Sequence, residues 1–227
     1  MRFLILYFDA PMQSWGSSLG TTVREQGSAP TLSGVVGVIA NALGRGRGDD
    51  MSDLVYPMAV RTDRTGVVER DYQTIGTQTG IGKIPEGSRI PMKVNATTKN
   101  RAPVGRPTVR YYQADAAHVV ALAESPGSLD LETVAEALRR PARPLYLGRR
   151  AFPVAEPIVR GGIVEADDIV SALALAPAPE RRDDHRLLTV EAGPSEPGVR
   201  RLADVPLSYG HYGTRHVCER PWKEMSA

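Results

Sequence analysis

The chain has 227 residues, of which 41% are hydrophobic and 24% are charged, and its formal net charge is +2 at pH 7. These values are ordinary for a soluble globular protein with one large domain or two small ones. The sequence contains no apolar run close to the roughly 18 residues that a membrane-spanning helix needs. The single cysteine excludes an internal disulfide framework and suits a reducing compartment, so a cytoplasmic protein is expected.

The first predicted elements are a buried strand and an amphipathic helix. After Arg2, the stretch "RFLILYF" (2–8) is a continuous apolar run, and an acid and a proline follow it, which favours a strand over a signal peptide. In "PTLSGVVGVIANALG", apolar residues recur at helical spacing, Thr31 or Ser33 can cap the start, and Gly44 can close the end. Gly34 and Gly37 each cost this helix roughly 1 kcal/mol relative to alanine. They therefore indicate close approach of another backbone or a ligand, or packing against the sheet.

Four strands and a second helix are predicted in the middle of the chain. "LVYPMAVRTDRTGVVERDYQT" (54–74) predicts a strand, a turn and a second strand, and "TVRYYQADAAHVVALAE" (108–124) predicts another strand. "LDLETVAEALRRP" (129–141) predicts a helix that Asp130 or Ser128 caps and Pro141 ends. "RPLYLGRRAFPV" (143–154) predicts a further short strand that ends in a Gly-Arg-Arg turn.

Once residues 75–110 are treated as an excursion between the middle strands, the order of these elements predicts an α+β fold of the ferredoxin-like (RRM-like) type, with the pattern βαββαβ over residues 1–153. Residues 154–227 are expected to form a small β-rich C-terminal region. In it, "VEADDIVSALALA" predicts a short helix, and "RLLTVEA", "VRRLADVPL" and "RHVCERPW" predict short strands. The fold hosts unrelated functions and does not by itself indicate one.

Most familiar catalytic and metal-binding patterns are missing from the sequence. A Walker loop around Lys83 would need glycine at position 77 and serine or threonine at 84, where the chain has Thr77 and Ile84. The four histidines have no metal-ligand spacing, so no metal or cofactor is expected. RNA can be cleaved by its own 2′-hydroxyl when side chains transfer protons, and His118, Tyr111, Tyr112 and Lys93 leave a metal-independent endoribonuclease as an alternative.

The excess positive charge is concentrated in residues 75–110. This stretch has seven cations and one acid, a net charge of +6, so the other 191 residues sum to −4. Strand-like residues predict a β-hairpin with arms at 90–94 and 104–109 and "NATTKN" near its tip. A basic hairpin that projects from the domain predicts contact with nucleic acid, because cations placed on phosphates release counterions. The alternative interpretation is a solvated surface loop. The cations are Lys83, Arg89, Lys93, Lys99, Arg101, Arg106 and Arg110.

A second basic group lies in residues 139–150, which contain five arginines and no acid. In "LYLGRR", Gly148 would let the backbone approach RNA closely. Arg149 and Arg150 would bind phosphates through bidentate hydrogen bonds. Cations at a helix C-terminus would explain Arg139 and Arg140, but they would not explain Arg149 and Arg150.

Five motifs in the same order and spacing resemble the CasD family of type I-E CRISPR Cascade subunits, which belongs to the RAMP superfamily. The motifs are "PMQSWG", "PTLSGVVGVIANALG", "RDYQT", "YYQADA" and "LRRPARPLYLGRR", and they cover roughly residues 1–153. The resemblance implies a non-catalytic subunit that binds the 5′ handle of the guide RNA (crRNA) in antiviral defence. It also implies contacts with the Cascade backbone subunit and large subunit, indirect contact with target DNA, and no membrane.

The resemblance also implies roles for single residues. Gln13 and Trp15 would lie near handle nucleotides, where Trp15 either offers a stacking face or covers the core. Ser33 and Gly34 would offer backbone N–H groups to a phosphate. Arg70 and Tyr72 would lie at the base of the basic hairpin, with Tyr111 on its other side. Family members often have cysteine where this chain has Phe152, a departure that concerns packing more than RNA contact.

Three classes of function remain open from the sequence: a guide-RNA-binding structural subunit, a repeat endoribonuclease, and an RNA-binding module outside CRISPR. Incubation with repeat RNA in EDTA separates the first two, and copurifying subunits separate the first from the third.

Overall fold

The structure of the protein is a computed structural model. It describes residues 1–16, 23–24, 26–46, 48–75, 92–94, 101–103, 106–208 and 210–223. In chain order the described strands are β1 Arg2–Gln13, β2 Val23–Arg24, β3 Met58–Arg64, β4 Val67–Ile75, β5 Met92–Val94, β6 Arg101–Pro103, β7 Arg106–Ala123, β8 Ile163–Glu165, β9 Leu187–Glu191, β10 Val199–Ser208 and β11 His211–Pro221. The described α-helices are α1 Leu32–Ala42, α2 Leu131–Arg139 and α3 Ile169–Leu175, and Ser52–Leu54 form a 3₁₀ turn.

Four antiparallel strands form the centre of the main sheet in the spatial order β3-β7-β1-β8. The register of β1 on β7 pairs Leu4 with Leu122, and that of β3 on β7 pairs Val60 with Val120. The predicted α+β class agrees with this arrangement of a large sheet with helices.

Residues 3–8 of strand β1 are all apolar because helices cover both faces of the strand there. Leu4, Leu6 and Phe8 pack in one cluster with α1 and α2. Phe3, Ile5 and Tyr7 point to the opposite face and pack with α3. Each buried side chain of this size stabilises the fold by about 1.5–3 kcal/mol.

The two predicted helices begin and end near the predicted residues. The Thr31 side chain accepts a hydrogen bond from Gly34 N–H at the start of α1, and Gly44 follows its end with a φ of +77°. Asp130 accepts from Thr133 N–H at the start of α2. Leu131, Val134 and Leu138 are buried, so the amphipathic spacing predicted the core-facing side.

The strand predicted in residues 143–154 is wrong. This stretch is a tight loop with a single bridge between Tyr146 and Pro153, and the strand beside β1 is β8, formed by Ile163–Glu165. Leu147 N–H donates to Phe152 O at 2.8 Å, and Phe152 N–H donates to Arg149 O at 2.9 Å. Leu145 and Leu147 of this loop are both buried in the core, so their alternation reflects the burial of a loop and not a strand.

The C-terminal strands extend the same sheet. Strand β9 pairs with β3, β11 pairs with β9, and β10 pairs with β11. The short predicted helix is α3. The division of the chain at residue 153 stays a prediction.

Strand β7 continues beyond the sheet body and pairs with β4 over residues 106–114 to form an antiparallel ribbon. The short strand β2 also pairs with β7, in parallel, with Val23 opposite Val109. The ribbon begins where Asp115, with a φ of +54°, interrupts the regular strand and where Gly66, with a φ of +68°, lies against Ala114 O. Its far end pairs Ile75 with Arg106, the two described residues that flank residues 76–105.

Within residues 76–105, β5 pairs with β6, with Val94 opposite Arg101. The first predicted hairpin arm (90–94) contains β5. The second arm predicted at 104–109 is wrong, because residues 106–109 pair with β4 and β6 takes that place. The predicted tip, residues 95–100, lies outside the described residues.

Candidate functional site

One face of the β4–β7 ribbon brings together three of the predicted site residues. Arg70 lies opposite Tyr111, and Tyr72 lies opposite Val109. Directly opposite residues and alternate residues share a face of an antiparallel pair. Arg70 is exposed and Tyr72 is 64% exposed, whereas Tyr111 is half-buried. The face therefore offers a cation and an aromatic ring to a ligand in solution.

The other face of the ribbon holds Arg149. Its Nη1 donates to Asp71 Oδ2 at 2.9 Å, and its Nη2 donates to Tyr111 O at 2.8 Å. Its guanidinium carbon lies 5.1 Å from the centre of the Phe152 ring. Arg149 thus joins the loop after residue 147 to the ribbon, and a bidentate phosphate contact would require these bonds to break. Arg150 is exposed.

In this structure, the lack of a side chain at Gly148 lets the protein's own backbone at Ser14 lie close to it. It has a φ of +84°, and a Cβ atom there would lie 1.9 Å from Ser14 O. Ser14 N–H also donates to Leu147 O at 3.1 Å. Ser14 therefore occupies the space beside Gly148, and a close approach of RNA to this glycine stays a prediction.

Gln13 and Trp15 are buried, so the stacking interpretation of Trp15 is wrong for this structure. Trp15 is 1% exposed, and its Nε1 donates to Gln13 Oε1 at 3.0 Å. The Gln13 amide nitrogen donates to Phe8 O at 2.8 Å and to Ala116 O at 2.7 Å. A Cβ atom at Gly34 would lie 2.8 Å from the Trp15 ring, which explains this helix glycine. Trp15 covers the core, as the second interpretation proposed.

The start of α1 already holds an anion from the protein itself. Asp204, which is 1% exposed, accepts from Leu32 N–H at 2.8 Å. It also accepts from Arg215 Nε at 2.9 Å and Nη2 at 3.0 Å. Gly34 N–H donates to Thr31 Oγ1 at 3.2 Å. The prediction that this N–H is open to a phosphate is therefore wrong for this structure. Ser33 is half-buried, and its hydroxyl lies 3.5 Å from that of Thr31.

Sequence reasoning missed Asp204, which lies 172 positions after its helix partner. The signal that could have indicated it is the lone acid within the strand segment "VRRLADVPL".

His118 lies in the core and cannot reach a substrate in this structure. It is 1% exposed, with Nδ1 3.0 Å from Thr62 Oγ1 and Nε2 3.4 Å from Gln113 Oε1. Burial, helped by the positive charge of Arg64, lowers the pKa of His118 from 6.5 to about 3. The imidazole is therefore neutral at physiological pH.

The depressed pKa of His118 predicts a loss of stability in mild acid. Between pH 7 and pH 5 the unfolded chain binds a proton at this histidine and the folded chain does not. The free energy of unfolding should therefore fall by about 2 kcal/mol from this group alone. Urea unfolding at both pH values checks this. His118→Gln should lose that part of the dependence, and the exposed control His185→Gln should keep it. An unchanged dependence in His118→Gln would contradict the prediction.

The remaining predicted cations are only partly described. Lys83, Arg89 and Lys99 lie outside the described residues. The backbones of Lys93, Arg101 and Arg106 lie in β5, β6 and β7. The Arg110 side chain is half-buried, and its Nε has no hydrogen-bond partner among the described residues.

The described residues contain no group of three or more His, Cys, Asp or Glu side chains that could hold a metal ion. Within the same part of the chain, no helix is long and apolar enough to cross a membrane.

Comparisons with known proteins place this geometry in a family. The model of the CRISPR-associated protein family Cas5 (Cas5d) matches residues 3–220. The CRISPR system Cascade subunit CasD of Escherichia coli K12 is 31% identical over 181 residues, which cover 73% of each chain. A chain of a solved CRISPR RNA-guided surveillance complex is 32% identical, with a TM-score of 0.72 over 96% of this chain and 89% of that one. The crystal structure of a Cas protein is also 32% identical, with a TM-score of 0.69 over 98% and 95% of the two chains.

Proposed function

The chain belongs to the Cas5 family of CRISPR-associated proteins, and from this premise we propose that it is a non-catalytic, guide-RNA-binding subunit of a type I-E Cascade complex. In this role it binds and caps the 5′ handle of crRNA. Similarity to the E. coli Cascade subunit CasD and to a chain of a CRISPR RNA-guided surveillance complex supports the assignment. RNA-binding modules outside CRISPR, the third class left open by the sequence, lack this support.

The observation that carries the proposal is the pairing of Ile75 with Arg106 at the far end of the ribbon. It supports a thumb: residues 76–105 leave and re-enter the fold at one place and carry five cations and one acid. The strand order β3-β7-β1-β8, with α1 and α2 on one face, supports a ferredoxin-like (RRM-like) core below it.

The ribbon and the thumb provide two kinds of RNA contact. The thumb cations neutralise phosphates, which makes binding dependent on salt. Tyr72, beside Arg70, presents an open ring on which a base can stack, and stacking of this kind contributes about 1–3 kcal/mol per base. Gly148 and Arg150 lie in the loop that Arg149 joins to the opposite face of the ribbon. There the exposed Arg150 offers a separate phosphate contact.

The proposed partners follow from the family. They are crRNA, the Cascade backbone subunit and the large subunit, with target DNA contacted only through the complex. The proposed compartment is the cytoplasm, and no cofactor or metal takes part in RNA binding.

The structure argues against the endoribonuclease alternative. Of the four side chains proposed to transfer protons, the only histidine, His118, cannot reach RNA. His118 is buried and neutral, and its ring nitrogens face Thr62 and Gln113. Repeat RNA incubated with the isolated protein in EDTA should therefore bind and remain intact. Cleavage that Tyr111→Phe or Lys93→Ala abolishes would overturn the non-catalytic assignment.

A single exposed arginine tests the phosphate contacts of the loop. Arg150→Ala should leave thermal stability unchanged because the side chain is exposed. It should lower the slope of log affinity against log salt by about 0.7, the contribution of one contact to a single-strand phosphate. Fluorescence anisotropy with handle RNA measures this slope. Arg182→Ala, in an exposed loop, is the matched control and should keep the wild-type slope. If Arg150→Ala also kept the wild-type slope, the Arg150 side chain would contact only solvent and not a phosphate.

A further inference from the structure

Helix α1 contains two glycines, and the fold explains only one of them. Gly34 makes room for the ring of Trp15. Gly37 is exposed, and a Cβ atom built there meets nothing within 4 Å. A glycine inside a helix costs stability relative to alanine, and it is used where another group approaches the backbone closely. No group of the described chain makes that approach at Gly37.

Gly37 lines an apolar groove between α1 and the hairpin of β10 and β11. Val36 and Ala40 of the helix form one wall, and Pro206 and Leu207 form the other. The groove has a cavity volume of about 180 Å³. A cavity of roughly 150 Å³ accommodates a benzene-sized group. The groove therefore fits one leucine, methionine or phenylalanine side chain.

The surroundings of the groove favour a protein over RNA. Among the described residues that line the groove, Asp49 is the only charged one, and it is an exposed acid that would repel phosphate. Asp50 follows it, and hydrogen bonds from Ser52 hold the Asp50 carboxylate ionised by lowering its pKa. Leu207 is 66% exposed beside the groove, so the apolar surface extends past the cavity. An apolar patch with a charged rim is typical of a protein–protein interaction site.

We propose that this groove docks a neighbouring protein subunit of the same complex, through one apolar side chain that enters beside Gly37 and an adjacent lysine or arginine that pairs with Asp49. This inference rests on the proposed function, because it takes the partner from within Cascade. It assigns a protein contact to the outer side of α1, separate from the RNA-facing ribbon.

Filling the groove tests the apolar contact. Gly37→Leu places a side chain in the space of the docking residue, and the isolated variant should fold at least as stably as wild type because that space is open. Gly37→Ala is the matched control, since it makes the same helix-favouring change and leaves the groove open. Each chain is co-expressed with the other Cascade subunits and a guide RNA, and native mass spectrometry gives the composition of the purified complex.

We expect Gly37→Leu to lose one protein subunit and keep the guide RNA, and Gly37→Ala to keep both. Asp49→Lys should weaken the same subunit's retention. Asp167→Lys should not, because Asp167 precedes α3 on the opposite face of the sheet. Loss of RNA with full protein composition would overturn the inference, and so would an unchanged complex. If the wild-type chain assembles with RNA alone, the groove inference fails while RNA binding stands; if it assembles with neither, the proposed function fails as well.

Discussion

Replacing residues 76–105 with a short Gly/Ser linker is expected to leave a folded domain that has lost most of its affinity for handle RNA. The fold should survive because Ile75 and Arg106 are already paired neighbours, so a short turn can join them. The buried clusters on both faces of the sheet contain no residue of this segment among those described. RNA binding should fall because the segment carries Lys83, Arg89, Lys93, Lys99 and Arg101.

The salt dependence gives the size of the effect. Each cation on a single-strand phosphate contributes about 0.7 to the slope of log affinity against log salt, so losing five lowers the slope by up to roughly 3.5. A full-length control in which the same five residues are glutamine should show the same loss with the segment length kept. An unfolded deletion variant would mean that the segment is core. Unchanged binding would mean that its charge is only surface solvation.

Asp204→Ala is expected to destabilise the protein by about 3–5 kcal/mol, the usual cost of removing one partner of a buried ion pair. The Asp204 carboxylate links Arg215 of β11 to the Leu32 N–H at the start of α1. Its removal leaves a buried N–H without its acceptor and an arginine, 9% exposed in its side chain, without its main partner. Urea unfolding monitored by circular dichroism measures the difference.

Glu191→Ala is the matched control for Asp204→Ala. Glu191 pairs with the same Arg215 at 3.5 Å, but its side chain is 44% exposed. An exposed pair contributes about 0–1 kcal/mol, so the control should unfold close to wild type. Equal losses in the two variants would show that Asp204 is not the link between the C-terminal hairpin and α1.

The elements that the sequence predicts best are those whose signals are local. The apolar run of β1 predicts burial on both faces, and the caps Thr31 and Asp130 begin their helices as the sequence indicates. The strand wrongly predicted in residues 143–154 shows the limit of such signals. Leu145 and Leu147 alternate because their loop buries both side chains in the core. This spacing resembles that of a strand, and no local feature distinguishes the two.

The site residues that the sequence misplaces depend on distant partners. Two adjacent arginines suggest guanidinium groups that are both available to phosphate. The Arg149 guanidinium instead donates to Asp71, 78 positions away. Trp15 follows a strand in a polar segment, but the space left by Gly34 lets its ring reach the core. Such contacts form because the tertiary fold brings distant residues together. The spacing of residues along the chain therefore does not predict them.

The central claim is that this chain holds the 5′ handle of a guide RNA inside a Cascade complex. Photo-crosslinking of the RNA in the purified complex, followed by mass spectrometry of the crosslinked peptides, tests it most directly. We predict crosslinks between nucleotides of the 5′ handle and peptides from residues 70–111, with Tyr72 among the crosslinked positions. A complex in which the handle crosslinks only to other subunits, while this chain is present in full amount, would contradict the account.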